Sequence, residues 1–254
     1  MFSKFLFGQE TKIQCKQIEF IDLKADNFYG YDNFGFYYYS KNNAFFKQKK
    51  LEIYQYQNIN LGDLTQVDFI NPLKILLFYR NFNAVVLVDN FLSETTQIHF
   101  SELTKPISCK YVGYAEQNKL WLVQDAVNQI GLFDLKTNFY QTIVPSFDPN
   151  ITEFQSDFST IQGYNATKNN WMNISLYGNI TPKSDLSLPK NLQFLADNKA
   201  IFLKEASLFF VNLKTKQQIP IEIVEKSIRT FYYHDQILSI FTGKGITNYK
   251  TILP

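Results

Sequence analysis

Strand-length apolar runs recur in groups of four along this chain, with a spacing of about 40 residues, and that period constrains the fold more than any other feature. One group, from Ala25 to Asn58, reads ADNFYGYDN, GFYYYSKNN, AFFKQKK and LEIYQYQN. The next, from Leu64 to Leu103, reads LTQVDFINP, KILLFYRNFN, AVVLVDN and TTQIHFSEL. A third, from Cys109 to Phe147, reads CKYVGYAEQN, KLWLVQDAVN, QIGLFDLKTN and FYQTIVPSF. The breaks between runs fall on Asn, Asp, Pro and Lys-Thr-Asn clusters, such as Asp32-Asn33, Asn42-Asn43 and Asn71-Pro72. These residue types build tight turns through side-chain hydrogen bonds or left-handed backbone. Four strands per period is the signature of a β-propeller blade.

The pattern blurs between Asp148 and Leu188 and returns from Asn191 to Val224 with NLQFLADN, KAIFLKE, ASLFFVNLKTK and QQIPIEIV. It ends with IRTFYYHD, QILSIFTGKG and ITNYKTILP. Two internal matches support true repetition. LFDLKTN, from Leu132, pairs with FFVNLKTK, from Phe209; Tyr114-Ala-Glu-Gln-Asn-Lys pairs with Leu195-Ala-Asp-Asn-Lys. With the blurred stretch taken as one blade, the groups number six, and the last holds only three runs. The N-terminal run KIQCKQIEFI, Lys12 to Ile21, is then a spare strand. A spare strand at one terminus and a missing strand at the other predict that the N-terminal strand completes the last blade, which removes exposed sheet edges.

The runs also differ by place within a group. KILLFYR and AVVLVD are apolar without alternation, as strands covered on both faces require. LEIYQYQN and TTQIHF alternate, as strands with one wet face do. The wealth of Phe, Tyr and Ile suits pleated backbone. A β-sandwich or jelly roll also uses short strands but has no reason for the period. The expected fold is therefore all-β: a six-bladed β-propeller over residues 11–254, preceded by residues 1–10 as a frayed terminus or the remnant of an export signal. Met1-Phe2-Ser3-Lys4-Phe5-Leu6-Phe7-Gly8-Gln9 is too short for a complete signal peptide, yet its Phe5–Gly8 stretch before Gln9-Glu10 has the form of a signal's end.

Several function classes are disfavoured. The formal net charge is +2, and Arg80 and Arg229 are the only arginines. Nucleic-acid readers draw on several arginines for bidentate contacts, so no nucleic-acid partner is expected. No apolar run reaches the length of a membrane-spanning helix, and no membrane insertion is expected. Cys15 and Cys109 lie in separate apolar segments and predict two separate buried thiols. His99 and His234 fall in different groups without metal-ligand spacing, and no calcium-loop motif occurs. No cofactor, metal or catalytic residue is predicted.

Carboxylates are plentiful: Asp26, Asp32, Asp89, Asp125, Asp134, Asp197 and Asp235 could in principle supply a glycosidase pair. However, Asp32, Asp197 and Asp235 recur just after an apolar run, which reads as turn building. Asn150, Asn165, Asn173 and Asn179 each begin an Asn-x-Ser/Thr triplet, a frequency that chance explains in so Asn-rich a chain. The blurred stretch holds Tyr164, Trp171, Met172 and Tyr177 among polar residues. Aromatics and Met in such a setting suit a protein-contact surface. A distorted blade filled by its own aromatics is the alternative.

No sialidase Asp box, Trp-Asp repeat, kelch Gly pair or Tyr-Trp-Thr-Asp repeat is present. The Phe/Tyr/Asn/Lys-rich runs, NPLKILLFYRNFNAVVLVDN above all, and the FLFGQE start resemble small six-bladed propellers of Bacteroidetes type. Among these they resemble the Plug family of the type 9 secretion translocon. The resemblance implies a non-catalytic periplasmic protein, monomeric when free, that binds a large outer-membrane complex and seals the periplasmic mouth of its barrel. A glycan-binding or glycan-cleaving propeller, or an intracellular adaptor, is the competing expectation.

Overall fold

The computed structural model describes residues 12–184 and 186–254. The expectations about Met1–Gln9 lie outside the described residues. Apart from two single-turn 3-10 helices, Ile59–Leu61 and Arg80–Phe82, the regular structure among the described residues is strand. The strands form six sheets, antiparallel except for one short parallel pair, and the fold is the six-bladed β-propeller that the period predicts.

The chain opens with β1 (Ile13–Gln14) and β2 (Lys16–Asp22), discussed below. Ala25–Lys190 then forms one compact unit of four sheets. Its first sheet holds β3 (Asn27–Tyr31), β4 (Tyr37–Lys41), β5 (Ala44–Lys49) and β6 (Glu52–Tyr56). The second holds β7 (Gln66–Asp68), β8 (Lys74–Tyr79), β9 (Ala84–Asp89) and β10 (Glu94–His99). The third holds β11 (Cys109–Tyr114), β12 (Lys119–Gln124), β13 (Ile130–Asp134) and β14 (Phe139–Val144). The fourth is the blurred stretch: β15 (Ile151–Ser156), β16 (Thr160–Asn165), β17 (Asn170–Ser175) and the three-residue β18 (Ile180–Pro182). Each sheet is a meander, with sequential strands side by side.

The second compact unit combines residues 12–24 with Asn191–Pro254. It contains a sheet of β19 (Leu192–Leu195), β20 (Lys199–Lys204), β21 (Ser207–Asn212) and β22 (Gln218–Glu222), and a sheet of β23 (Thr230–His234), β24 (Ile237–Thr242) and β25 (Gly245–Lys250). β2 completes the latter as its fourth strand, antiparallel to β25. The N-terminal run is not one strand, however. It breaks at Cys15, and β1 pairs instead in parallel with β22, making the preceding sheet five-stranded. The apolar pattern runs through Cys15 unbroken, so the change of partner is invisible in it.

Packing follows the strand patterns. In β8 and β9, Ile75, Leu76, Leu77 and Val85 to Val88 are completely buried. Each contributes about 2 kcal/mol of burial. The faces of β8 and β9 serve two cores. Leu76, Phe78, Val85 and Leu87 pack towards Val112, Leu120 and Leu122 of the third sheet. Ile75, Leu77, Val86 and Val88 pack with Tyr38 and Phe45 of the first. The outer strands β6 and β10 are mostly exposed. In the second unit, Ile13 joins a core of Ile201, Leu208, Phe210, Ile219, Ile221, Leu238 and Ile240.

The two internal sequence matches occupy equivalent turns. Gln117-Asn118 and Asp197-Asn198 both link a first strand to a second, with both residues at positive φ. That geometry belongs to the two-residue turn whose twist matches a hairpin. Asp134 Oδ1 accepts the amides of Lys136 and Thr137 at 2.9 Å, and Asn212 Oδ1 accepts those of Lys214 and Thr215 at 3.0 Å. The shared Leu-Lys-Thr is thus one capped turn used in two blades. Cys15 is half-buried rather than buried, Cys109 is buried, and both are free.

Candidate functional site

In the four-sheet unit, the turns joining first to second strands and third to fourth strands lie at one end. Glu116 N donates to Phe158 O at 2.9 Å, tying the first turns of the third and fourth sheets together. Lys47 Nζ donates to Asn90 O at 2.9 Å, tying the first sheet to the third turn of the second. Burial lowers the Lys47 pKa, against the opposing pull of Asp32, Asp89 and Glu52. Its ammonium also stands 4.5 Å from the Phe36 ring centroid.

The turns at this end share a device. A side-chain oxygen accepts the amide two residues on and projects that residue outward. Asp32 Oδ1 accepts Phe34 N at 2.9 Å, and Asp89 Oδ1 accepts Phe91 N at 2.8 Å. Asp68 Oδ1 accepts Ile70 N at 3.0 Å, Asn71 Oδ1 accepts Leu73 N at 3.1 Å, and Ser175 Oγ accepts Tyr177 N at 3.3 Å. These five projected residues are apolar or aromatic, and exposed, among them Phe34 by 57%, Leu73 by 62%, Phe91 by 58% and Tyr177 by 89%. Leu51 and Phe158, in the same set of turns, are exposed as well. Asp134 and Asp157 are the exceptions, because they project Lys136 and Ser159.

At the opposite end the same device presents polar residues at three places and the half-buried Leu186, through Ser184 Oγ, at a fourth. Asn58 Oδ1 accepts Asn60 N, Asp148 Oδ1 accepts Asn150 N, and Asn165 Oδ1 accepts Thr167 N. Ile59, Phe82 and Val127 are the exposed large apolar residues of those turns. One end of the unit is therefore apolar by construction. Exposed apolar residues gathered at one end of a folded protein are what an interaction surface uses.

The four residues predicted from the sequence are divided by the structure. Tyr164 and Trp171 face each other across β16 and β17, with ring centroids 5.5 Å apart, and both are buried. Tyr164 OH donates to Asn169 Oδ1 at 2.8 Å, and Trp171 Nε1 donates to Pro189 O at 3.2 Å. Met172 is half-buried against the core of Ile161 and Ile174. Tyr177 alone stands in solvent, and it belongs to the apolar end. Phe34, Leu73, Phe91 and Phe158 are the residues that sequence reasoning passed over. Their signal was an apolar residue directly after Asp or Asn turn residues, in Asp32-Asn33-Phe34, Asp89-Asn90-Phe91 and Asp157-Phe158.

The groups able to do chemistry hold structural places. Asp32, Asp89 and Asp134 cap turns, and Asp197 and Asp235 sit at positive φ in hairpins. Asp26 Oδ2 accepts Asn42 N at 2.7 Å, and Asp125 pairs with Arg80 at 2.8 Å. His234 Nε2 lies 3.2 Å from Asp235 Oδ2, and His99 Nε2 lies 2.5 Å from Gln97 Nε2. Among the described residues no group of three or more His, Cys, Asp or Glu is placed to hold a metal ion. Among the same residues no helix is long and apolar enough to cross a membrane.

Six meandering sheets and a turn-built apolar end define the class: a β-propeller with an exposed face suited to protein contact. No protein-family model and no curated protein matches the chain. Solved structures do. A Bacteroides thetaiotaomicron protein of unknown function is 11% identical, with a TM-score of 0.62, over 95% of this chain and 75% of that one. A streptogramin B lyase is 10% identical, with a TM-score of 0.59, over 92% and 96%. PorZ, a surface component of the type-IX secretion system of Porphyromonas gingivalis, is 9% identical, with a TM-score of 0.50, over 96% of this chain and 39% of that one. At these identities the likeness is one of fold, shared by proteins of unlike activity.

Proposed function

We propose that this chain is a non-catalytic propeller that binds a protein partner through the apolar end of its four-sheet unit. The partner in this reading is a large outer-membrane complex met in the periplasm, the periplasmic mouth of a type 9 secretion translocon being the specific candidate. The observation that carries the reading is the set of turns that project Phe34, Ile70, Leu73, Phe91 and Tyr177 into solvent. Aromatic and apolar anchors on a rigid support form the energetic centres of protein interfaces. Turns capped by Asp and Asn hold them without the ordering cost of mobile loops. The sequence resemblance to the Plug family and the shared fold with PorZ support the choice of compartment and complex.

The test is recovery of the tagged protein from native membranes. Recovery at near-equal amounts with a large outer-membrane protein is expected, along with its loss in a Phe34→Ser, Leu73→Ser, Phe91→Ser variant that remains folded. Recovery of the wild-type protein alone, or of the variant still bound, would sink the reading.

One observation favours a glycan-binding alternative. A depression of about 470 Å³ at the same end is lined by Asn71, Lys74, Glu116, Asn118 and Phe158. An aromatic wall with hydrogen-bonding groups around it suits a sugar ring. Retardation in polysaccharide-containing native gels, abolished by Phe158→Ala, is its expected signature.

A further inference from the structure

β22 is the outer strand of the antiparallel part of its sheet, and it carries Pro220, a residue type confined to sheet edges. The edge is occupied by β1, in parallel, through two residue pairs only: Ile13 with Ile221 and Gln14 with Glu222. The rest of the N-terminal segment is held far better, since β2 pairs with β25 through six residue pairs, from Lys16↔Lys250 to Asp22↔Gly245. Cys15 separates the two, so β1 can lift while β2 stays.

The seated segment shows what the edge accepts. Ile13 buries its side chain beside Ile219 and Ile221. Gln14 Nε2 donates to Glu222 Oε2 at 2.6 Å. Alongside runs a groove of about 590 Å³ lined by Ile13, Cys15, Ile219, Ile252, Leu253 and Pro254. An apolar slot, an acceptor carboxylate one residue further and a strand edge held by only two residue pairs are the elements of recognition by strand addition. In that mode main-chain bonds give affinity and alternate side-chain slots give specificity.

We infer that the β22 edge is a binding site for an extended segment of a protein partner. The segment adds in parallel to β22 in place of β1. It fills the Ile13 slot with an aliphatic side chain and offers Glu222 a donor at the next residue. β1 is then an internal competitor, and apparent affinity falls by the fraction of time it occupies the edge. The site uses residues of the second compact unit and stands or falls independently of the apolar end.

The experiment uses the full chain and a fluorescent peptide QETKIQSK, the segment Gln9–Lys16 with Ser in place of Cys15. Anisotropy reads its binding to three proteins: wild type, Ile13→Asp, and a lock made by Gln14→Cys with Glu222→Cys in a Cys15→Ser background. Ile13→Asp should bind at least about tenfold more tightly than wild type, because its edge is vacated. The oxidised lock should not bind, and its reduced form, which keeps the Ile13 slot but lacks the Glu222 acceptor, should bind measurably though more weakly than wild type. A peptide with Asp in the Ile13 position should bind none of them. Equal binding by Ile13→Asp and wild type, equal binding by the oxidised and reduced lock, or undiminished binding of the Asp peptide each overturns the inference. The lock comparison decides the matter even where Ile13→Asp does not fold.

Discussion

The side-chain amide of Gln193 pairs with both backbone polar groups of Tyr233. Gln193 Nε2 donates to Tyr233 O at 2.9 Å, and Tyr233 N donates to Gln193 Oε1 at 2.8 Å. Gln66 and Val112 repeat the arrangement in the four-sheet unit. In both cases a glutamine on the first strand of one sheet imitates a peptide group and satisfies the open edge of the next sheet's first strand. Buried backbone groups without a partner are costly.

Removal of that amide by Gln193→Ala should cost about 2 kcal/mol, two hydrogen bonds lost with an edge left partly unpaired. The urea midpoint measures it. A midpoint unchanged from wild type would show that water replaces the amide without penalty.

Gly245 opens β25 with φ of 142°. A Cβ there would lie 2.1 Å from Ile21 O and 2.8 Å from Leu23 N, both backbone atoms that cannot swing aside. Gly245→Ala should therefore destabilise by about 2 kcal/mol through strain. It should also speed amide exchange in Phe20–Asp22 before the rest of the chain. Exchange that stays uniform would contradict this.

Trp171 and Tyr177, six residues apart in the fourth sheet's third strand and following turn, should behave oppositely. Trp171→Ala should cost about 4 kcal/mol by opening a large void. Tyr177→Ser should leave the thermal midpoint in place and weaken partner recovery. Scanning calorimetry with the membrane pull-down checks both.

Asp157 predicts an acid dependence. Burial alone would raise its carboxyl, but the amides of Ser159 and Thr160 and both hydroxyls outweigh that and hold it below its usual value. The depressed carboxyl adds stability above its unfolded pKa of about 3.9, and that stability is lost as pH falls through the folded value. Asp157→Asn keeps an Oδ1 acceptor for the turn. It should lose less stability than wild type between about pH 4 and pH 2. Parallel acid titrations followed by circular dichroism give the answer.

The blades were legible wherever burial on both faces left unmixed apolar runs, as in β8 and β9. The fourth was hard to read because β15 to β17 interleave Gln, Asn and Thr with their core residues, and β18 has only three residues. Tyr164 and Trp171 looked like surface aromatics because their neighbours are polar. Strand pairing turns the two rings inward together, and that depends on partners no local window contains. Phe34 and Phe91 show the converse. They fall in the gaps between apolar runs and were passed over, yet the turn oxygens of Asp32 and Asp89 hold them out in solvent.

The hydrogen bond from Asn248 to Glu19 spans 229 residues of sequence. On a ribosome, or on emergence through any pore that releases the N-terminus first, β2 must wait unpaired while nearly the whole chain appears. Closing so long a loop before its contacts reward it slows the final step. An assembly clock is thus built into the connectivity, and the last sheet to mature is the one whose outer strand was made first.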